Sequence, residues 1–157
     1  MEASPCCSCQ KSKAPLQCGL CSGALCKGCA QFVEEGRFSY DPSVSEDLTK
    51  GVYCPACYDG TVLPALHAYD ELMAKARNVS VYFKTQSKET RLMKRNQQAL
   101  EVHGCPDREE ALLRLAFLSA KAGFGTLLDV DLTAEKVRQG AYQTSVWKGT
   151  GVPFQKD

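Results

Sequence analysis

The chain has 157 residues, 44% of them hydrophobic and 24% charged, with a formal net charge of +1. This is globular material, large enough for two small domains, and its charge gives no global case for a nucleic-acid or membrane partner. No apolar run approaches the roughly 20 residues of a membrane span, and MEASPCC lacks the charged and apolar regions of a signal peptide, so a reducing, cytoplasmic location is expected.

The cysteines are unevenly spread. Residues 1–62 hold nine of the ten and carry a net charge of −2, whereas residues 63–157 hold only Cys105 and carry +3. The first part has few large aliphatic residues and needs staples; the second can build its own core. The predicted organisation is a cysteine-rich domain over 1–62, a linker helix over 63–78 and a second domain over 79–157.

Eight cysteines fall into four Cys-x-x-Cys pairs: Cys6/Cys9, Cys18/Cys21, Cys26/Cys29 and Cys54/Cys57. Each pair offers two ligands from one tight turn, and eight thiolates make two closed four-cysteine Zn²⁺ sites of structural type. A reducing compartment favours zinc over disulfides. Cys7 is left as a spare thiol or substitute ligand. Gly19 suits the tight backbone of a zinc knuckle. Residues 30–36 are a candidate short helix, and 36–53 read as a loop pinned at both ends by metal.

Neighbouring pairs could each hold one zinc. However, only four residues separate Cys21 from Cys26, so the second and third pairs lie side by side. That favours an alternating cross-brace, with Cys6, Cys9, Cys26 and Cys29 on one zinc and Cys18, Cys21, Cys54 and Cys57 on the other.

The spacing C-x₂-C-x₈-C-x₂-C-x₄-C-x₂-C-x₂₄-C-x₂-C resembles the FYVE-type branch of cross-brace zinc fingers, including Rab-effector fingers. The Cys54-Pro-Ala-Cys57-Tyr58 ending and the central Cys18-Gly-Leu-Cys21-Ser carry the same likeness. The resemblance implies a treble-clef-like fold. Where a lipid-binding member has a basic His-rich segment, this chain has Ala14, Pro15, Leu16 and Gln17, and only five residues precede Cys6. Phosphoinositide binding is therefore not expected.

Residues 62–78 predict a helix with Pro64 at its start and Leu66, Tyr69, Leu72 or Met73, and Ala76 on one face. Residues 79–84 alternate as a strand. Residues 84–98 are polar, and Lys84, Lys88, Arg91, Lys94 and Arg95 make a basic loop suited to RNA, anionic lipid or an acidic partner. Aromatic interleaving is absent there, which weakens the nucleic-acid version.

A second strand continues through 99–102, residues 104–107 make a break, and Asp107 with Glu110 starts a helix to about Ala122. Its apolar stripe is Leu112, Leu115, Ala116, Ser119 and Ala122, widened by Leu113, Phe117 and Ala120. Residues 126–132 and 140–148 form an antiparallel hairpin turning near 138–140. The expected fold class is thus α+β: the two-zinc domain, a linking helix, then a βαββ domain with one long helix on an antiparallel sheet. Residues 111–130 and Gly149-Thr150-Gly151-Val152 resemble the bacterial YbjQ type, labelled heavy-metal-binding. That resemblance implies homo-oligomerisation and leaves metal sensing or storage as an alternative.

No catalytic set is present. His103 and Cys105 lack a third orienting group, Asp129 and Asp131 on one strand are better read as ion-pair partners, and Gly149-x-Gly151 precedes no helix. The expected function is a non-enzymatic, zinc-dependent protein-interaction or assembly module with an unidentified protein partner. A RING-type ubiquitin ligase adaptor is the rival, disfavoured by the four-residue central spacing and the all-cysteine ligand set.

Overall fold

In the computed structural model, which describes residues 4–155, short paired strands frame the cysteines. Strand β1 (Leu16–Gln17) pairs antiparallel with β2 (Ala24–Leu25), and β3 (Gln31–Phe32) with β4 (Val52–Tyr53). The short helix expected after Cys29 is not formed, because Gln31 and Phe32 pair with Tyr53 and Val52 instead. Seven residues are too few to offset helix nucleation, and a cross-strand ladder satisfies the same backbone groups.

Helix α1 (Pro55–Cys57) starts with Pro55 at its first position and Cys54 as its cap, then passes through a π turn (Tyr58–Val62) into α2 (Leu63–Arg77). The expected start at Pro64 is therefore corrected: helix precedes it. Pro64 has no N–H, and its ring would press on the carbonyl four residues back, at Gly60. The wider turn, in which the Leu63 N–H reaches Tyr58 O, accommodates it. The predicted stripe on α2 is met by buried Leu66, Tyr69 and Ala76.

The chain divides into two compact units between Asp70 and Glu71, inside α2. The core of the first comprises Leu25, Phe38, Tyr53, Val62, Leu66 and Tyr69 beside the buried cysteines. Phe38 meets Tyr69 edge-on at 5.3 Å between ring centres. The Arg37 guanidinium lies 5.6 Å from the Tyr69 ring centre and donates to both Asp70 oxygens at 2.7 and 2.8 Å.

The second unit contains β5 (Ser80–Phe83), β6 (Leu100–Cys105), α3 (Arg108–Lys121), β7 (Thr126–Gln139) and β8 (Tyr142–Phe154). Its sheet has the order β5-β7-β8-β6, with β5 parallel to β7 and the other pairs antiparallel. The expected βαββ antiparallel sheet is thus corrected to ββαββ in a mixed sheet. The chain leaves β5 by a long loop to the far edge, and α3 carries it back to β7. Because β6 and β7 are both antiparallel to β8, they share a direction. Together, β6-α3-β7 form a crossover with β8 inserted between its strands.

The break expected over 104–107 is also displaced: β6 runs to Cys105, and Gly104, at φ +66°, absorbs a bulge between Val102 and Cys105. Asp107 caps α3, accepting from the Glu110 N–H at 2.7 Å. The buried stripe of α3 is Ala111, Leu115, Ala116, Phe117 and Ser119, rather than one reaching Ala122, which lies beyond the last helical residue. The helix comes close to the sheet over Gly149, where a Cβ would stand 2.9 Å from Leu115 Cδ1 and 2.7 Å from Leu132 Cδ2. The hairpin turns at Gly140-Ala141 with Gly140 at φ +62°, and both strands exceed the expected lengths.

Candidate metal centres and the basic loop

Two cysteine pairs adopt the same turn. In the first, the Ser8 N–H points at Cys6 Sγ (3.4 Å) and the Gln10 N–H donates to Cys6 O (3.0 Å); in the second, Leu20 N–H points at Cys18 Sγ (3.5 Å) and Ser22 N–H donates to Cys18 O (3.1 Å). The residue after each pair, Gln10 at φ +64° and Ser22 at +62°, closes the turn in the left-handed region. These two positions carry no glycine, so composition gave no sign of them; their place directly after a second cysteine is the only available signal.

The other pairs use different backbone. Cys26 O accepts from Cys29 N–H at 3.3 Å and from Ala30 N–H at 3.1 Å. Cys54 Sγ accepts from Cys57 N–H at 3.4 Å as the cap of α1. The Cys54 N–H donates to Cys18 Sγ at 3.3 Å.

All eight cysteines are drawn into two quartets, Cys6, Cys9, Cys26 and Cys29, and Cys18, Cys21, Cys54 and Cys57, with the sulfurs of each within 4.8 Å of one another. All ten cysteines of the chain are free thiols. Cys9 and Cys26 sulfurs are 3.6 Å apart, and Cys21 and Cys54 sulfurs 3.9 Å. A tetrahedral Zn²⁺ with bonds of about 2.3 Å sets its sulfurs about 3.8 Å apart. The donor sets therefore fit such an ion, and each quartet can hold one metal ion. The burial order within both quartets is the same: buried, exposed, buried, intermediate.

Backbone dipoles prepare some of these sulfurs for ionisation. Amides of Cys9, Cys26 and Ser8 bring the Cys6 thiol down to about 6. Burial opposes ionisation of Cys18, but the amides of Cys21, Cys54 and Leu20 outweigh it and bring that thiol to about 6 as well. Their partners go the other way. Cys29 is pushed up to about 12, first by hydrogen bonding with the Cys9 thiol, and Cys57 to about 12, first by hydrogen bonding with Cys54. Four thiols in contact cannot all ionise without a cation among them, and a divalent metal supplies that charge.

Cys7 belongs to neither quartet; it is exposed, and its N–H donates to Ala24 O at 2.7 Å. Gly19 is required for space rather than for an unusual φ: a Cβ there would lie 2.5 Å from Lys50 Cβ and 3.1 Å from Tyr53 Cε1.

The basic loop is not a single cationic surface. Arg95 grips both Asp129 oxygens at 2.8 and 3.0 Å, together with Thr90 O at 2.7 Å and Thr90 Oγ1 at 2.8 Å. Thr90 is fully buried, and Asp129 takes φ +54° in the bulge of β7 between Leu128 and Asp131. The hydrogen bond from Arg95 holds the Asp129 carboxyl below the usual range, against some burial. Arg95 is therefore the clasp that holds the loop to the sheet. Lys84 lines one cleft with Asp129, Asp131 and Thr150, Lys94 lines another, and Lys88 and Arg91 are exposed. Cys105 is buried, its thiol donates to His103 O at 3.7 Å, and burial raises its pKa.

No family model, no curated protein and no solved structure matches the chain. No helix among the described residues is long and apolar enough to cross a membrane.

Proposed function

We propose that the two quartets bind two structural Zn²⁺ ions per chain in a cross-braced, treble-clef-like module, and that the protein is a non-enzymatic interaction and assembly element. The gathering of four sulfurs within 4.8 Å in each quartet carries the metal reading, with one separation in each, 3.6 and 3.9 Å, near the spacing of a tetrahedral zinc shell. A turn and a helix start together supply the Cys18–Cys57 quartet, which is the arrangement a treble clef uses. Four thiolates fill the shell, leaving no position for water or substrate, so the metal contributes folding free energy. About 10–16 kcal/mol per site is typical of zinc-finger peptides.

The assembly reading is supported by the second unit. Strand β5 pairs with β7 only as far as Val130, and β6 pairs with β8 only between Trp147 and Gly151. The remainder of the β7–β8 hairpin is a two-stranded ribbon whose outer edges have no strand partner among the described residues, and such edges template strand addition.

Native mass spectrometry of the full chain tests both parts at once. Two zinc ions per chain in particles of more than one chain are expected, and Cys54→Ser should lose one ion. A particle without metal overturns the zinc reading, and a zinc-loaded monomer at all concentrations overturns the assembly reading.

A further inference from the structure

Two clefts in the second unit share a wall. One, of about 500 Å³, is lined by Lys75, Asn78, Thr126, Phe124, Phe154 and Gln155 among others. The other, of about 420 Å³, is lined by Lys94, Asn96, Gln97 and the same Phe124, Phe154 and Gln155, with Leu92 and Pro153 completing it. Phe124 stands in the Gly123-Phe124-Gly125 turn after α3, and Phe154 ends β8, paired with Thr126. Both rings are only half buried. No carboxylate lines either cleft among the described residues.

The two clefts repeat one composition: an ammonium group, amide side chains and the common pair of phenyl rings. Phenyl faces stack on planar bases of any identity, Asn and Gln amides complement the mixed donors and acceptors of a base edge, and Lys meets the phosphate. An acyl chain would leave these amides without partners, and an acidic peptide would leave the rings unused. The sequence alone places no aromatic residue in the basic loop; the fold delivers two beside Lys94, Asn96 and Gln97 from chain positions remote from it.

We propose that the twin clefts bind single-stranded nucleic acid, two successive nucleotides at a time. The bases stack on Phe124 and Phe154, the amides of Asn78, Asn96 and Gln97 face base edges, and Lys75 and Lys94 meet the phosphates. Asn78 is already oriented, its Nδ2–H donating to Ala74 O at 3.1 Å. A duplex keeps its base faces stacked and is excluded from phenyl stacking. The inference does not rest on the zinc reading.

The test is fluorescence anisotropy of a labelled oligouridylate of about eight nucleotides, within the range one small domain covers, titrated at low salt with the full-length protein. Saturable binding is expected, weakened by added salt and by Lys94→Glu. Phe124→Ala should weaken it about tenfold, consistent with the loss of one stacked base. Phe124→Leu, which keeps the apolar bulk and removes the aromatic face, should weaken it similarly while circular dichroism stays unchanged. Absence of saturable binding, equal binding by Phe124→Leu, or an equally tight duplex overturns the proposal. Displacement by uridine monophosphate at equal nucleotide concentration overturns the two-nucleotide site.

Discussion

Single atoms decide the close approaches around the cysteine quartets. At Gly19 the missing Cβ leaves room for Lys50 Cβ, which a methyl group would meet at 2.5 Å; both atoms are tied directly to backbone, so neither can swing away. Gly19→Ala should lower stability by about 1–3 kcal/mol, the usual cost of overpacking. Gly28→Ala, whose nearest neighbour would be 4.0 Å away, serves as the near-neutral control in the same thermal melt. Equal melting points would refute the steric account. The Arg95–Asp129 clasp makes a pH prediction. The Asp129 pKa is lowered in the fold, first by the Arg95 hydrogen bond, so its contribution is present above the unfolded value of about 3.9 and is lost as pH falls through the folded value. Hydrogen exchange over residues 86–97 should accelerate below about pH 4; Asp129→Asn should show that acceleration already at neutral pH.

Among the elements, α3 is the clearest case of local chemistry agreeing with the fold. Asp107 caps it, Glu109 and Glu110 occupy its first turn and Lys121 its last, each sign suited to the helix dipole. Asp107→Ala should cost about 0.5–2 kcal/mol, read from denaturant midpoints of the second unit. An unchanged midpoint would show that packing over Gly149, rather than capping, holds the helix start. The α1–α2 segment shows the opposite relation. Pro64 looks like a helix start in sequence, yet it lies inside a continuous helical run because a π turn yields to its ring.

For the whole molecule, the proposed zinc sites make the first unit depend on metal more than the second. It is small and its core is crowded with cysteine, whereas the second buries Leu115, Phe117, Leu127, Leu128 and Val130 without any quartet. Chelation should therefore release two zinc ions, scored with a metal-indicator dye, and reduce the native tyrosine signal, because Tyr40, Tyr53, Tyr58 and Tyr69 belong to the first unit and Tyr82 and Tyr142 to the second. Emission of Trp147, the single tryptophan of the chain, should keep its native wavelength, and a shift concurrent with metal loss would contradict separate cores. Protons compete with the metal for thiolate, so zinc release should become easier as pH falls.

The cysteine spacing by itself determined the eight candidate ligands, because a two-residue gap builds one tight turn, and the four residues between Cys21 and Cys26 favoured the alternating division; the fold is what gathers the sulfurs into those two quartets. Apolar periodicity and the Asp107 cap likewise determined α2 and α3, since a helix face and a cap are local properties. Only the tertiary structure decided what depended on distant partners. Residues 31–32 became a strand by pairing with Val52 and Tyr53, and β5 entered the sheet parallel to β7 across the intervening β6 and α3. Arg95 turned from a candidate anion contact into a clasp when the bulge at Asp129 came within reach. Phe124 and Phe154 reached the basic loop from far along the chain. Such pairings depend on which long loops close, and loop closure is governed by the burial of the whole core rather than by any local run of residues.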